Sequence, residues 1–211
     1  MSLLFRRVRI LKINPDNPEK AAIALASEVL KDGGLVAFPT ETVYGLGADS
    51  LNKKAIERLY TVKKRPKDKP LTVHISRIEA LKEMDVELCP LAEKLTRRFW
   101  PGPLTLILNS KKGKKIGFRM PSNRIALSLI EASGTPIVAP SANLSGGKAP
   151  KDAKAVMRDL GHNIDMILDG GQTDVGIEST VVDMTVFPCR ILREGAVSKS
   201  QIKDAWHHEE E

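Results

Sequence analysis

The chain has 211 residues, 42% of them hydrophobic and 28% charged, with a formal net charge of +7. That length can bury a sizeable core without disulfide or metal staples, and the balance is that of a globular protein rather than a disordered or fibrous one. The positive charge suits polyanions such as nucleotides, nucleic acid or an acidic membrane surface without choosing among them, whereas an aromatic content of 4% argues against base-stacking platforms. No stretch approaches the roughly 20 apolar residues of a membrane helix. The basic start, Met1 to Arg9, lacks an apolar signal core. Cys89 and Cys189 lie far apart in no ligand-spaced motif. Two buried thiols in a reducing compartment are expected, and the cytoplasm follows by elimination.

In chain order, Arg6 to Ile13 alternates apolar and polar residues as a half-buried strand does. Asn17 as cap and Pro18 at the first helical position predict a helix with the stripe Ala22, Ile23, Ala26, Val29 and Leu30, stopped by Gly33 and Gly34. Leu35 to Phe38 reads as a buried strand running into a loop from Pro39 to Gly47. Asn52 predicts a capped second helix that ends before Pro66. Leu71 to Ile75 reads as a strand, followed by helical stretches from about Ser76 and from Pro90 to Trp100. Leu104 to Leu108 and Ile116 to Met120 bracket the basic turn Lys111 to Lys115, a hairpin signal. A helix from about Asn123 to Ala132, a strand from Pro136 to Ala139 and a helix from Asp152 to Leu160 come next. Met166 to Leu168, Ile177 to Met184 and Arg190 to Leu192 read as strands, Ser198 to Trp206 as a last helix, and His207 to Glu211 as a frayed tail. Mixed strands and helices with a hairpin predict one α/β domain around a mixed sheet.

Six segments could carry chemistry. The loop Pro39 to Gly47 leaves a buried strand with two threonines, a carboxylate and glycines, although neither a P-loop nor a dinucleotide fingerprint is present. Lys63 to Pro70 places Lys63, Lys64, Arg65, Lys67 and Lys69 in a loop stiffened by Pro66 and Pro70. It reads either as a solvated helix cap or as a polyphosphate site, to which Arg offers a planar fork and Lys a point charge. Pro140 to Gly147 follows a short strand with small polar donors. Arg119 ends a strand among apolar neighbours, Gly176 to Asp183 is a strand with hydroxyls on both faces, and Arg193 closes another strand. Of the histidines, His74 alone sits in a strand, where it reads as a core residue or a ligand contact. No catalytic triad, paired-carboxylate signature or metal-ligand cluster is visible. Lys, Arg and hydroxyl groups suit phosphoryl or nucleotidyl transfer, in which the protein positions groups and offsets charge.

Taken in order, these segments resemble the YrdC-like family, the threonylcarbamoyl-AMP synthases. The resemblance rests on Phe38 to Gly47, Lys63-x-Arg65-Pro66, Leu71 to Ile75, Trp100 to Thr105 and Arg119-Met120-Pro121, then on Pro140 to Gly146, Glu178 to Val181 and Leu192 to Gly195. It covers about residues 18 to 197. It implies a single YrdC-like domain over residues 1–211, an open, twisted mixed sheet with flanking helices and a positively charged concave face. It also implies a reaction in which L-threonine, bicarbonate and ATP give threonylcarbamoyl-adenylate and pyrophosphate. A downstream transferase complex would then modify adenosine 37 of tRNA, with direct tRNA binding left open.

By resemblance, Lys63 and Arg65 would be catalytic, and Lys63, Arg65, Lys67, Ser141, Asn143 and Arg193 would hold ATP. Thr40, His74, Arg119, Ala139 and Ser179 would meet threonine. Mg²⁺ would ride on the ATP phosphates near Ser141 and Asn143, with no protein metal cluster. The chain departs from the family at Pro121-Ser122-Asn123, where a histidine is common, and at Gly146 to Pro150, where many members have Arg-Pro-Ser-Pro. The competing reading is a double-stranded RNA or tRNA-binding module, supported by the basic balance and Lys111 to Lys115. A carbamoyl-transfer domain of hydrogenase maturation would need zinc-finger cysteines that two residues cannot supply.

Overall fold

The computed structural model describes residues 8–207. In chain order the elements are β1 (Arg9–Lys12), α1 (Lys20–Lys31), β2 (Val36–Phe38), β3 (Gly45–Asp49), α2 (Lys53–Val62) and β4 (Thr72–His74). There follow α3 (Ala80–Glu83), α4 (Pro90–Phe99), β5 (Leu104–Asn109), β6 (Lys115–Arg119), α5 (Arg124–Ser133) and β7 (Ile137–Val138). The chain continues with α6 (Ala153–Leu160), β8 (Met166–Asp169), β9 (Thr180–Asp183), β10 (Arg190–Arg193) and α7 (Lys199–His207). All the strands join one 10-stranded sheet in the order β1-β8-β2-β3-β7-β4-β6-β5-β9-β10. Parallel pairs such as β4–β6 and β5–β9 alternate with antiparallel ones such as β2–β3 and the predicted β5–β6 hairpin, so the sheet is mixed.

Side chains alternate across a pleated strand, and the apolar residues sort accordingly into two layers. Leu35, Ala37, Leu46, Ala48, Val73, Phe118, Val138 and Ile167 face a large core that also takes Leu59, Leu95, Val156 and Ile202 from α2, α4, α6 and α7. Val36, Phe38, Ile137, Met166 and Leu168 face a smaller core under α1 and α5, which contribute Ile23, Leu30, Ile125 and Leu129. The smaller core draws its strand residues from the β8-β2-β3-β7 part of the sheet, and β4, β6 and β5 add none to it. Each fully buried Leu or Ile contributes about 1.5–3 kcal/mol.

Asn52 caps α2 as the sequence predicted, and Asn123 and Asp152 cap α5 and α6 in the same way, their side-chain oxygens accepting amide hydrogens of the first turn. The first helix differs. It starts at Lys20, and Asn14, not Asn17, organises the approach by accepting the Asp16 and Asn17 amides while Glu19 accepts that of Asn14. The stretch from Ser76 forms only the short α3. Residues 208–211 of the expected tail lie outside the described residues.

The largest departure is β3, a strand where a loop was expected through Gly47. Glycine disfavours strands on propensity, but here the partner ring requires it. A Cβ on Gly47 would stand 2.8 Å from Phe38 Cε1 and 3.1 Å from Ile137 Cγ2. A Cβ on Gly45 would meet its nearest atom, Ala139 Cβ, at 3.4 Å. Gly47→Ala is therefore expected to cost about 1–3 kcal/mol of unfolding free energy in a denaturant titration, and Gly45→Ala much less.

Candidate active site

One cleft gathers most of the residues the sequence singled out. Its floor is the face of the sheet that the α1–α5 layer leaves uncovered. In β4, Val73 faces the large core while Thr72 and His74 line the cleft. In β6, Phe118 faces the core and Arg119 the cleft; in β5, Leu104 and Leu106 face the core and Thr105 the cleft. His74 and Arg119 are direct register partners across β4 and β6. The rim comes from loops: Thr40 and Val43 between β2 and β3, Arg65 and Pro70 after α2, Pro140 and Ser141 after β7, Glu178 and Ser179 before β9, and Arg193 at the end of β10. The cavity holds about 100 Å³.

Arg119 anchors the floor. Only 5% exposed, it meets Glu41 Oε1 with Nη2 at 2.8 Å, and its Nε donates to Gly102 O at 3.3 Å. Burial holds the guanidinium below its ordinary value while Glu41 pulls it back up. With Nε spent on Gly102 O and Nη2 buried against Glu41, Nη1 is the part of the guanidinium left for a ligand. Neither Glu41 carboxylate oxygen has a hydrogen-bond partner, so the carboxylate depends on its ion pair with Arg119. Beside them, His74 is pushed down to about 3 by burial and then by the charge of Arg119, and its Nδ1 has no partner. The imidazole is thus neutral at any physiological pH and offers polar recognition rather than charge.

The walls are clamped from behind. Thr40 closes its own turn, its hydroxyl donating to Val43 O and accepting the Thr42 and Val43 amides. Ser179 Oγ lies 2.9 Å from Thr105 Oγ1. Arg193 donates through Nε and Nη2 to Ser179 O, through Nη2 to Ser179 Oγ at 3.3 Å, and pairs with Glu178 Oε1 at 3.0 Å. Gly195 lets these strands close, because a Cβ there would come within 2.1 Å of Glu178 O. Arg65 donates to Lys69 O and Pro70 O, leaving Nη1 available, and its guanidinium is lowered mainly by burial.

Of the residues singled out by sequence, Thr40, Arg65, His74, Arg119, Ala139, Ser141, Ser179 and Arg193 share the cleft. Lys63, Lys67 and Asn143 are not on its wall. Lys67 is exposed on the basic loop. Asn143 is buried, its Nδ2 donating to Leu144 O and Gly147 O while its Oδ1 has no partner. Lys63 is 1% exposed and donates to Ser141 O and Asn143 O, and burial followed by the charge of Arg65 lowers its amine to about 8. Sequence reasoning missed Thr72, Thr105, Glu178 and the Glu41 support. The polar–apolar alternation of Thr72-Val73-His74 and Leu104-Thr105-Leu106 was the available signal for the floor.

Two outcomes follow. Removing either partner of the buried pair, by Glu41→Ala or Arg119→Ala, is expected to destabilise the fold by about 3–5 kcal/mol, with the double variant costing less than the sum, as measured by urea unfolding. His74 takes up a proton in the unfolded chain below about pH 6.5 but in the folded chain only near 3. Stability should therefore fall as pH drops through that window, and His74→Gln should flatten the decline in pH-dependent thermal melts.

The comparisons with known proteins agree with this geometry. Residues 28–195 match the Sua5, YciO and YrdC family model, described as telomere recombination. The threonylcarbamoyl-AMP synthase of Pyrococcus abyssi is 44% identical over 194 residues, spanning 88% of this chain and 57% of that protein. A crystal structure of P. abyssi Sua5 complexed with L-threonine superposes with a TM-score of 0.90 at 42% identity, covering 94% of this chain and 61% of the other. The E. coli YciO crystal structure gives 0.82 at 29% identity over 92% of this chain and 99% of its own. The chain spans little more than half the length of the curated relatives it matches first. It belongs to the Sua5, YciO and YrdC family.

Proposed function

We propose that the chain is a nucleotidyltransferase that makes threonylcarbamoyl-adenylate and pyrophosphate from L-threonine, bicarbonate and ATP. The observation that carries the reading is the buried, Glu41-braced Arg119 beneath a cleft of about 100 Å³. That room is well below the roughly 300–1,000 Å³ of a typical drug-sized pocket and suits a small amino acid on the floor, with a nucleotide at the open rim. The name printed for the P. abyssi relative supports the reaction, and the L-threonine of the Sua5 complex supports the substrate.

Arg119 holds the threonine carboxylate or the carboxylated amine by a charge-assisted hydrogen bond from Nη1, with Thr40, neutral His74, Ala139 and Ser179 around the rest of the molecule. The amine, once neutral, attacks carbon dioxide or bicarbonate; a C–N bond forms and the nitrogen gives up one proton, to solvent with carbon dioxide, or with bicarbonate to the departing hydroxide, which leaves as water. A carbamate oxygen then attacks the α-phosphorus of ATP, the bond to the β-phosphate oxygen breaks, and pyrophosphate departs with its electron pair. Arg65 offsets charge on the phosphates at the rim, with Lys67 and the remaining N–H of Arg193 as further contacts. No His, Cys, Asp or Glu cluster suited to a metal occurs among the described residues. Of the two residues expected near a phosphate-borne Mg²⁺, Ser141 lies on the cleft wall and would offer its hydroxyl oxygen, whereas the unpartnered Asn143 Oδ1 is buried off that wall and does not fit the role. Such an ion would neutralise phosphate charge.

The domain is taken as one unit over residues 1–211, supported by the single continuous sheet. The adenylate would pass to a tRNA threonylcarbamoyl-transferase acting at position 37, in the cytoplasm; direct tRNA contact would run over the same basic rim. No helix among the described residues is long and apolar enough to cross a membrane.

The test is one reaction with ATP, L-threonine, bicarbonate and Mg²⁺, followed for pyrophosphate and for a new adenylate by mass. Threonine-dependent release is expected, falling about 100-fold or more in a folded Arg65→Ala variant. RNA binding without threonine-dependent turnover would overturn the reading.

A further inference from the structure

Lys63 is a buried cation that the proposed chemistry does not use directly. It closes α2, where Lys63 and Lys64 donate their backbone amides to Leu59 O and Thr61 O, and Lys64 turns the chain at a φ of 49°. This fixes the root of the Lys63 side chain. Three bonds then run from this residue to the loop after β7. The ammonium donates to Ser141 O and Asn143 O, and Ser145 N donates to Lys63 O at 2.8 Å. The last bond satisfies one of the carbonyls that a helix end leaves open.

The loop has few other supports. Residues 140–142 lie along β3, with Leu46 N donating to Pro140 O and Ala142 N to Tyr44 O. Beyond Ala142 the sheet no longer holds the chain. The Asn143 side chain bonds only within its own loop, to Leu144 O and Gly147 O. A buried ammonium must place its hydrogens on acceptors to offset its desolvation, and here those acceptors are the carbonyls on either side of Ala142. With two of its three N–H groups on backbone carbonyls, Lys63 has little left for a phosphate.

We infer that Lys63 is a positioning residue: it straps the Ser141–Ser145 loop to the end of α2 and so sets Ser141 on the cleft wall before any ligand arrives. The Lys-x-Arg and Ser-x-Asn elements are then two ends of one strap, and Arg65, two residues on, is left as the member that faces the cleft. The functional consequence rests on the proposed threonine and ATP chemistry; the strap itself does not.

The test uses the whole chain, ligand-free, in Lys63→Met and Lys63→Arg forms. Hydrogen exchange over residues 141–147 is expected to speed up at least tenfold in Lys63→Met while the β5–β6 hairpin is unchanged. Lys63→Arg, which keeps donors, should recover most of the protection. L-Threonine binding by calorimetry, without ATP, should weaken at least tenfold in the Met variant and recover in the Arg variant. Unchanged exchange with a loss confined to ATP affinity would overturn the strap and make Lys63 a phosphate contact. If Lys63→Met does not fold, Lys63→Gln, which keeps a donor on a shorter arm, carries the same comparison. Faster exchange in a protein whose wild type binds no threonine would uphold the strap and sink the proposed function.

Discussion

The pairing of Arg119 with Glu41 is the constraint around which the cleft is organised. An arginine cannot shed its charge when buried, so the fold must supply a counter-charge or lose stability. Glu41 supplies it from the β2–β3 loop, while Arg119 stands at the end of β6. The pair thereby ties that loop to the middle of the sheet. It also fixes the guanidinium plane and leaves part of the fork unspent. His74 is kept neutral first by its own burial and then by the charge of Arg119 beside it.

Around that floor, the walls share one design. Each rim group is held by a neighbour before a ligand could hold it: Ser179 by Thr105 and Arg193, the Thr40 turn by its own hydroxyl, the Ser141 loop by Lys63. Such preorganisation lowers the entropic cost of binding. It also divides the cations by remaining capacity. Arg193 and Lys63 have spent most of their donors inside the protein, whereas Arg65 and Arg119 each keep Nη1 free of protein partners. Under the proposed function, one such cation serves an anion deep on the floor and the other an anion at the rim.

Much of this was legible in the sequence because it depends on local signals. Asn52 marked a helix start by side-chain chemistry that acts within one turn, and the Lys111–Lys115 turn marked the hairpin. Arg119, Ser179 and Arg193 were visible as polar groups on or at the ends of strands, and Arg65 as part of a cation cluster at a helix end. What escaped depended on contacts far along the chain. Gly47 sits in a strand where Phe38 and Ile137 fill the space a Cβ would need, which no propensity encodes. Glu41 looked like a loop carboxylate, and only the fold brings it to Arg119, 78 positions later. Lys63 looked like a phosphate ligand by residue type. Whether an ammonium faces a cleft or a neighbouring carbonyl is decided by packing.

The most direct test of the central claim is a crystallographic difference map of the protein with L-threonine. The account predicts an amino acid on the sheet face between β4, β5 and β6, its carboxylate in hydrogen-bond contact with Arg119 and Glu41 still paired behind it. Threonine bound elsewhere, or an Arg119 that leaves Glu41 without touching the ligand, would contradict it.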